Sequence, residues 1–151
     1  MTHELESDLD SLVNQKHELV FEMYQEKHPD FQKIENSLLE IWSLLPDPKE
    51  NWTESFRTAN ALFVLYLEDL KQFEDAEVWL DRLKLVEKKI DYSMGQVLFS
   101  EGRLYFEREE YDNALESFKA TVKEGKGFRY FEDEDPKYLD FYTHPKKYTE
   151  Q

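Results

Sequence analysis

From Tyr92 to Glu124 the chain reads YSMGQVLFSEGRLYFEREEYDNALESFKATVKE, and this stretch restricts the possible folds more than any other. Its apolar residues recur at steps of three and four, the period of one face of an α-helix, in two runs joined by a tight turn. Gly102 and Ala114 are small, whereas Tyr105, Tyr111 and Phe118 are large. They fall where two antiparallel helices need a small residue, a wedge and a small residue again. The stretch predicts a helical hairpin.

The same period runs through the rest of the chain. Residues 4–27 carry Leu5, Leu9, Leu12, Val13, Val20, Met23 and Tyr24 on one stripe, which predicts a long amphipathic helix. His28-Pro29-Asp30 breaks it, because the residue before a proline is pushed out of the α region. Asp30 is placed to cap a second helix whose stripe is Phe31, Ile34, Leu38, Ile41, Trp42 and Leu45. Pro46-Asp47-Pro48 ends that helix, and Thr53 is placed to cap a third. Ala59, Ala61, Leu62, Phe63, Leu65, Tyr66 and Leu70 make the third helix apolar over most of its circumference, which predicts a central, covered position. Phe73, Ala76, Leu80 and Leu83 then mirror Tyr111, Ala114, Phe118 and Thr121, with Val64 in the place of Gly102. The expected fold is all-α: three stacked antiparallel hairpins over about 4–45, 53–90 and 92–124, in a single domain 1–151.

Gly125 and Gly127 suit a helix C-terminus, where the chain enters the left-handed region. Beyond them the tail holds seven aromatics: Phe128, Tyr130, Phe131, Tyr138, Phe141, Tyr142 and Tyr148. Asp135-Pro136 reads as a cap and a first-turn proline opening a short helix. The tail 125–151 is expected to cover the open end of the hairpin stack, with a partner-facing aromatic patch as the alternative.

The 151 residues include only 4 Gly and 5 Pro, which permits long helices and disfavours turn-dense β architectures. The absence of cysteine removes disulfides and thiolate metal sites and suits a reducing compartment. No secretory leader opens the chain and no apolar run approaches the length of a membrane span, so a cytoplasmic location is expected. The net charge of −15, from 34 acidic and 19 basic residues, repels nucleic acid and anionic membranes and speeds encounter with a basic partner. The surplus is uneven. Residues 1–54 hold 13 acids against 4 bases, 55–91 hold 8 against 6, and 92–151 hold 13 against 9.

The spacing of Gly102, Tyr105, Tyr111, Ala114 and Phe118 resembles the tetratricopeptide repeat (TPR), a helix–turn–helix unit of about 34 residues. The family's usual first-helix Trp position is Leu98 here, and no proline closes the unit after Glu124. The intervals between corresponding positions are also longer: Ala76 to Ala114 is 38 residues and Ile34 to Ala76 is 42. The resemblance implies a right-handed superhelix with a concave groove lined by the first helix of each hairpin. The inward positions it implies are Leu19, Met23 and Glu26; Ala61, Leu65, Glu68 and Asp69; and Gln96, Phe99, Arg103 and Phe106. Leu65, Phe99 and Phe106 are equally readable as core. Separately, the tail's Gly-Phe-Arg-Tyr-Phe and Glu-Asp-Pro-Lys-Tyr runs resemble the ends of small bacterial toxin-immunity proteins.

Catalytic chemistry is not foreseen. His3, His17, His28 and His144 are scattered, no Gly-rich phosphate loop or nucleophile elbow occurs, and no cofactor or metal is expected. Glu132-Asp133-Glu134-Asp135 lacks the spacing of a calcium hand and reads as a solvated acidic turn. The expected function is a non-catalytic interaction module that binds and masks a basic protein, as an immunity protein neutralises its cognate toxin. The alternatives are an adaptor or scaffold gripping a short peptide in the groove and, more remotely, an enzyme built on a buried carboxylate pair.

Overall fold

The computed structural model describes residues 3–90, 94–125 and 127–149. The chain divides into two compact units, Met1–Asp91 and Tyr92–Gln151. All regular structure among the described residues is helical.

The first unit holds α1 (Ser7–Tyr24), α2 (Phe31–Leu44), α3 (Thr53–Val64) and α4 (Phe73–Ile90). Asp30 caps α2 as expected, its carboxylate accepting the Lys33 N–H at 3.1 Å. Thr53 does not cap α3. Trp52 holds the cap position with no side-chain bond, and Thr53 is the first helical residue. The core is formed by Val13, Val20, Ile34, Leu38, Ile41, Leu45, Ala59, Leu62, Phe63, Ala76, Leu80 and Leu83. Leu12, placed on the inner stripe by its spacing, is 40% exposed, and the buried His17 takes a core position instead. At the α2–α4 contact Trp42 and Trp79 pack edge to face at 5.0 Å, with the Arg82 guanidinium 4.2 Å over the Trp79 ring.

The second unit holds α5 (Met94–Glu107), α6 (Tyr111–Glu124), α7 (Pro136–Thr143) and α8 (Lys146–Thr149). Where α5 passes α6, a Cβ on Gly102 would lie 2.5 Å from a ring carbon of Phe118, so only glycine permits this approach. Phe118 then joins Phe99, Phe106, Phe131, Tyr138 and Phe141 in one buried cluster. Its rings meet largely edge to face, Phe99 and Phe131 at 4.8 Å and Phe106 and Phe141 at 5.2 Å, the arrangement ring quadrupoles favour. Tail residues 131, 138 and 141 are therefore core, and the tail covers one face of the α5–α6 hairpin. Asp135 caps α7 through the Lys137 N–H at 3.0 Å, with Pro136 in the first turn. The left-handed residue after α6 is Gly127, at φ 114°, and not Gly125. Gly125 is required for another reason: a Cβ there would sit 2.6 Å from the Tyr130 ring and 2.8 Å from the Thr121 carbonyl.

The hairpins α3–α4 and α5–α6 turn through a single left-handed residue five positions before their buried alanine: Lys71 (φ 56°) before Ala76, and Glu109 (φ 61°) before Ala114. After α5, Glu109 N–H donates to the Phe106 carbonyl and Glu110 N–H to that of Tyr105, a Schellman closure. After α3 the helix first widens into a π turn over Leu65–Asp69, with Leu70 N–H reaching the Leu65 carbonyl at 2.9 Å.

These contacts predict opposite effects for two substitutions in the second hairpin. Gly102→Ala drives a methyl into the Phe118 ring and lowers stability by about 1–3 kcal/mol. Glu109→Gly relieves the left-handed strain and raises it by about 0.5–1 kcal/mol. Urea denaturation of both variants beside the parent checks the two signs.

Candidate partner-binding surface

In the first unit, α1 turns Val13, His17 and Val20 inward and leaves Leu19 54% exposed. Met23 is half-buried, with its sulfur 3.9 Å from the Ser37 hydroxyl of α2, and Glu26 is exposed just beyond the helix end. Leu19, Met23 and Glu26 thus reach the surface together. Ala61 is half-buried on α3, whereas Leu65 is fully buried where the π turn begins. The π turn carries Glu68 and Asp69 to half-buried positions, and Asp69 accepts the Tyr24 hydroxyl at 3.1 Å. Burial raises the Asp69 carboxyl above its usual range, the Tyr24 bond and Lys71 opposing that rise. Burial and the Asp69 charge push the Tyr24 hydroxyl up as well.

In the second unit Gln96 is half-buried, but Phe99, Arg103 and Phe106 are buried and present no binding surface. This corrects their expected place in a groove, and Leu65 is corrected with them. The physical reason in the second unit is the tail: the helical face that the spacing marks is occupied by Phe131, Tyr138 and Phe141. Arg103, wholly enclosed, donates to Ser100 Oγ at 3.1 Å, ion-pairs with Glu134 at 3.4 Å and lies 4.7 Å over the Phe99 ring. Of the acidic run 132–135, Glu134 therefore holds Arg103 and Asp135 caps α7.

One polar cleft of about 320 Å³ opens in the first unit between the segment before α1 and the start of α3. Glu4, Asp10 and Glu54 line it with His3, whose ring nitrogen meets the Asn51 carbonyl at 2.9 Å. Burial raises the Glu54 carboxyl, Arg57 offsetting part of the effect. Among the described residues no group of three or more His, Cys, Asp or Glu side chains is arranged to hold a metal ion, and no helix is long and apolar enough to cross a membrane. Compared with family models, with curated proteins and with solved structures, the chain matches none.

His17 is one of the buried polar groups that the spacing argument missed, since a histidine on an apolar stripe gives no periodic signal of its own. The Thr58 hydroxyl donates to the Glu54 carbonyl at 3.0 Å, so its oxygen accepts the His17 Nε2–H at 2.9 Å. Burial, helped by the Arg57 charge, lowers the imidazole pKa to about 4, and the ring is neutral near pH 7. Unfolding returns the ring to an ordinary pKa near 6.5, so between pH 6.5 and 4 the unfolded chain binds the proton first. Stability from this group is complete above pH 6.5 and falls with acidification by up to about 1.4 kcal/mol per pH unit. Denaturation midpoints measured from pH 7 to 5 should show this slope, and His17→Gln should flatten it.

Proposed function

We propose that this protein is a non-catalytic binding module that recognises and masks a basic protein partner. The observation that carries the reading is the uneven negative charge: residues 1–54 hold 13 acids against 4 bases. Glu6, Asp8, Glu18, Glu22, Glu26 and Asp30 all lie at exposed positions of that segment. Of its bases, Lys16 pairs with Glu40 at 3.0 Å and Lys49 lies 3.8 Å from Asp47. Such a field accelerates encounter with positive charge and rejects polyanions, at a magnitude set by ionic strength.

The sharper form of the reading is an immunity protein that neutralises a cognate toxin in the cytoplasm. It draws on the tail's resemblance to small immunity proteins and on a chain without cysteine. The adaptor reading, with a TPR-like groove gripping a short peptide, is weakened by the burial of Leu65, Phe99 and Phe106. Within the second unit Arg103, another of the expected groove positions, is enclosed and paired with Glu134.

The test is capture from native lysate on the immobilised chain, at low and at high salt. The expected result is one stoichiometric basic protein, released by salt. Retention of no basic protein, or of a salt-insensitive set, counts against the reading.

A further inference from the structure

Resting on that reading, we propose that the outer face of α1 is the docking surface, and that its occupant is a basic amphipathic helix of the partner. Leu12, Gln15, Leu19 and Glu22 follow one another at steps of three and four residues, so they form one line along α1. This line is not surplus core. The inward positions of α1 are filled by Val13, His17 and Val20, and Leu12 and Leu19 stand 40% and 54% exposed on the other side.

The charges beside the line are mostly acidic, the exception being Lys16, one turn from both Leu12 and Leu19. Asp8, Glu18 and Glu22 are exposed on α1, and Glu26 follows its last turn. The helix contains one lysine or arginine, Lys16, and that side chain is engaged with Glu40 of α2. Leu12 and Leu19 lie about 10.5 Å apart along the axis, at 1.5 Å per residue. That interval matches two apolar side chains seven residues apart on a partner helix, and the flanking carboxylates select one that carries Lys or Arg beside them. A second copy of this chain would bring the same carboxylates face to face, and an anionic membrane or nucleic acid would be repelled as well.

The probe is a synthetic Lys/Leu amphipathic peptide of about five helical turns. Its control has the same composition, scrambled so that the leucines share no face. Each is titrated into the full chain, with affinity read by fluorescence anisotropy and location by amide chemical-shift mapping. The expected shifts cluster on residues 8–26, and the scrambled peptide binds at least about tenfold more weakly. Leu12→Ser and Leu19→Ser each cost about tenfold. The pair Glu18→Gln/Glu22→Gln lowers affinity and its salt dependence, while Glu74→Gln/Asp81→Asn, exposed on α4, changes neither. Circular dichroism melts establish that each variant is folded.

Shifts on α4, equal binding of the scrambled peptide, or equal losses from the α4 pair overturn the assignment. So does sedimentation of the free chain as a dimer that Leu19→Ser dissociates. The two proposals fail separately. A basic lysate protein held equally well by Leu19→Ser removes the surface and leaves the functional reading standing. A probe seated on α1, with no basic protein captured, does the reverse.

Discussion

The ring of Phe118 lies against the bare backbone of Gly102, and that contact sets how closely α5 and α6 approach. Everything else in the second unit builds outward from it. The same ring meets Phe131 at 5.3 Å and Tyr138 and Phe141 at 6.1 Å, so the hairpin and the tail share one aromatic core. Polar ties secure the tail further, since Glu107 accepts the hydroxyl of the fully buried Tyr138 at 2.8 Å and pairs with Lys137 at 2.6 Å. Phe131, Tyr138 and Phe141 are thus consumed in cohesion and are closed to a partner.

A chain with 34 acids and 19 bases cannot pair every carboxylate with a cation. Among the described residues a tyrosine hydroxyl donates to a carboxylate from Tyr24 to Asp69, Tyr66 to Glu35, Tyr138 to Glu107 and Tyr148 to Asp140, the last two carboxylates also meeting Lys137 and Lys147. Three of these bonds join positions 31 or more residues apart and Tyr148 to Asp140 spans 8, and none neutralises a charge. Asp140 is held below the usual carboxylate range by its bonds to Tyr148 and Lys147, and Tyr148 is pushed up to about 12 by the same contact. A hydrogen-bond donor that carries no charge lets the fold be fastened while the surface stays strongly negative.

Much of this architecture was legible in the spacing of apolar residues. Ile34, Leu38 and Ile41, and likewise Ala114 and Phe118, mark buried faces as the 3.6-residue period requires, and Asp30 and Asp135 announce helix starts through ordinary capping chemistry. What escaped has physical reasons. The left-handed turns at Lys71 and Glu109 use residues that carry no turn signature, and the π turn at Leu65–Asp69 adds a hydrogen-bond register that periodicity does not encode. The candidate site divides along the same boundary. Leu19 and Glu26 reach the surface, but Phe99, Arg103 and Phe106 do not, because a stripe shows which residues share a face and not what covers it. Arg103 is the sharpest case: a lone arginine in a presumed groove is enclosed by Ser100, Glu134 and Phe99.

That the aromatic tail is core is tested most directly by shortening the chain to end at Gly127. Near-ultraviolet circular dichroism, followed through thermal unfolding, reports the packing of the remaining rings. Loss of the aromatic signal from α5–α6, together with loss of its cooperative transition, is the predicted result. An unchanged spectrum and transition would contradict it and return Phe131, Tyr138 and Phe141 to the surface as candidates for partner contact.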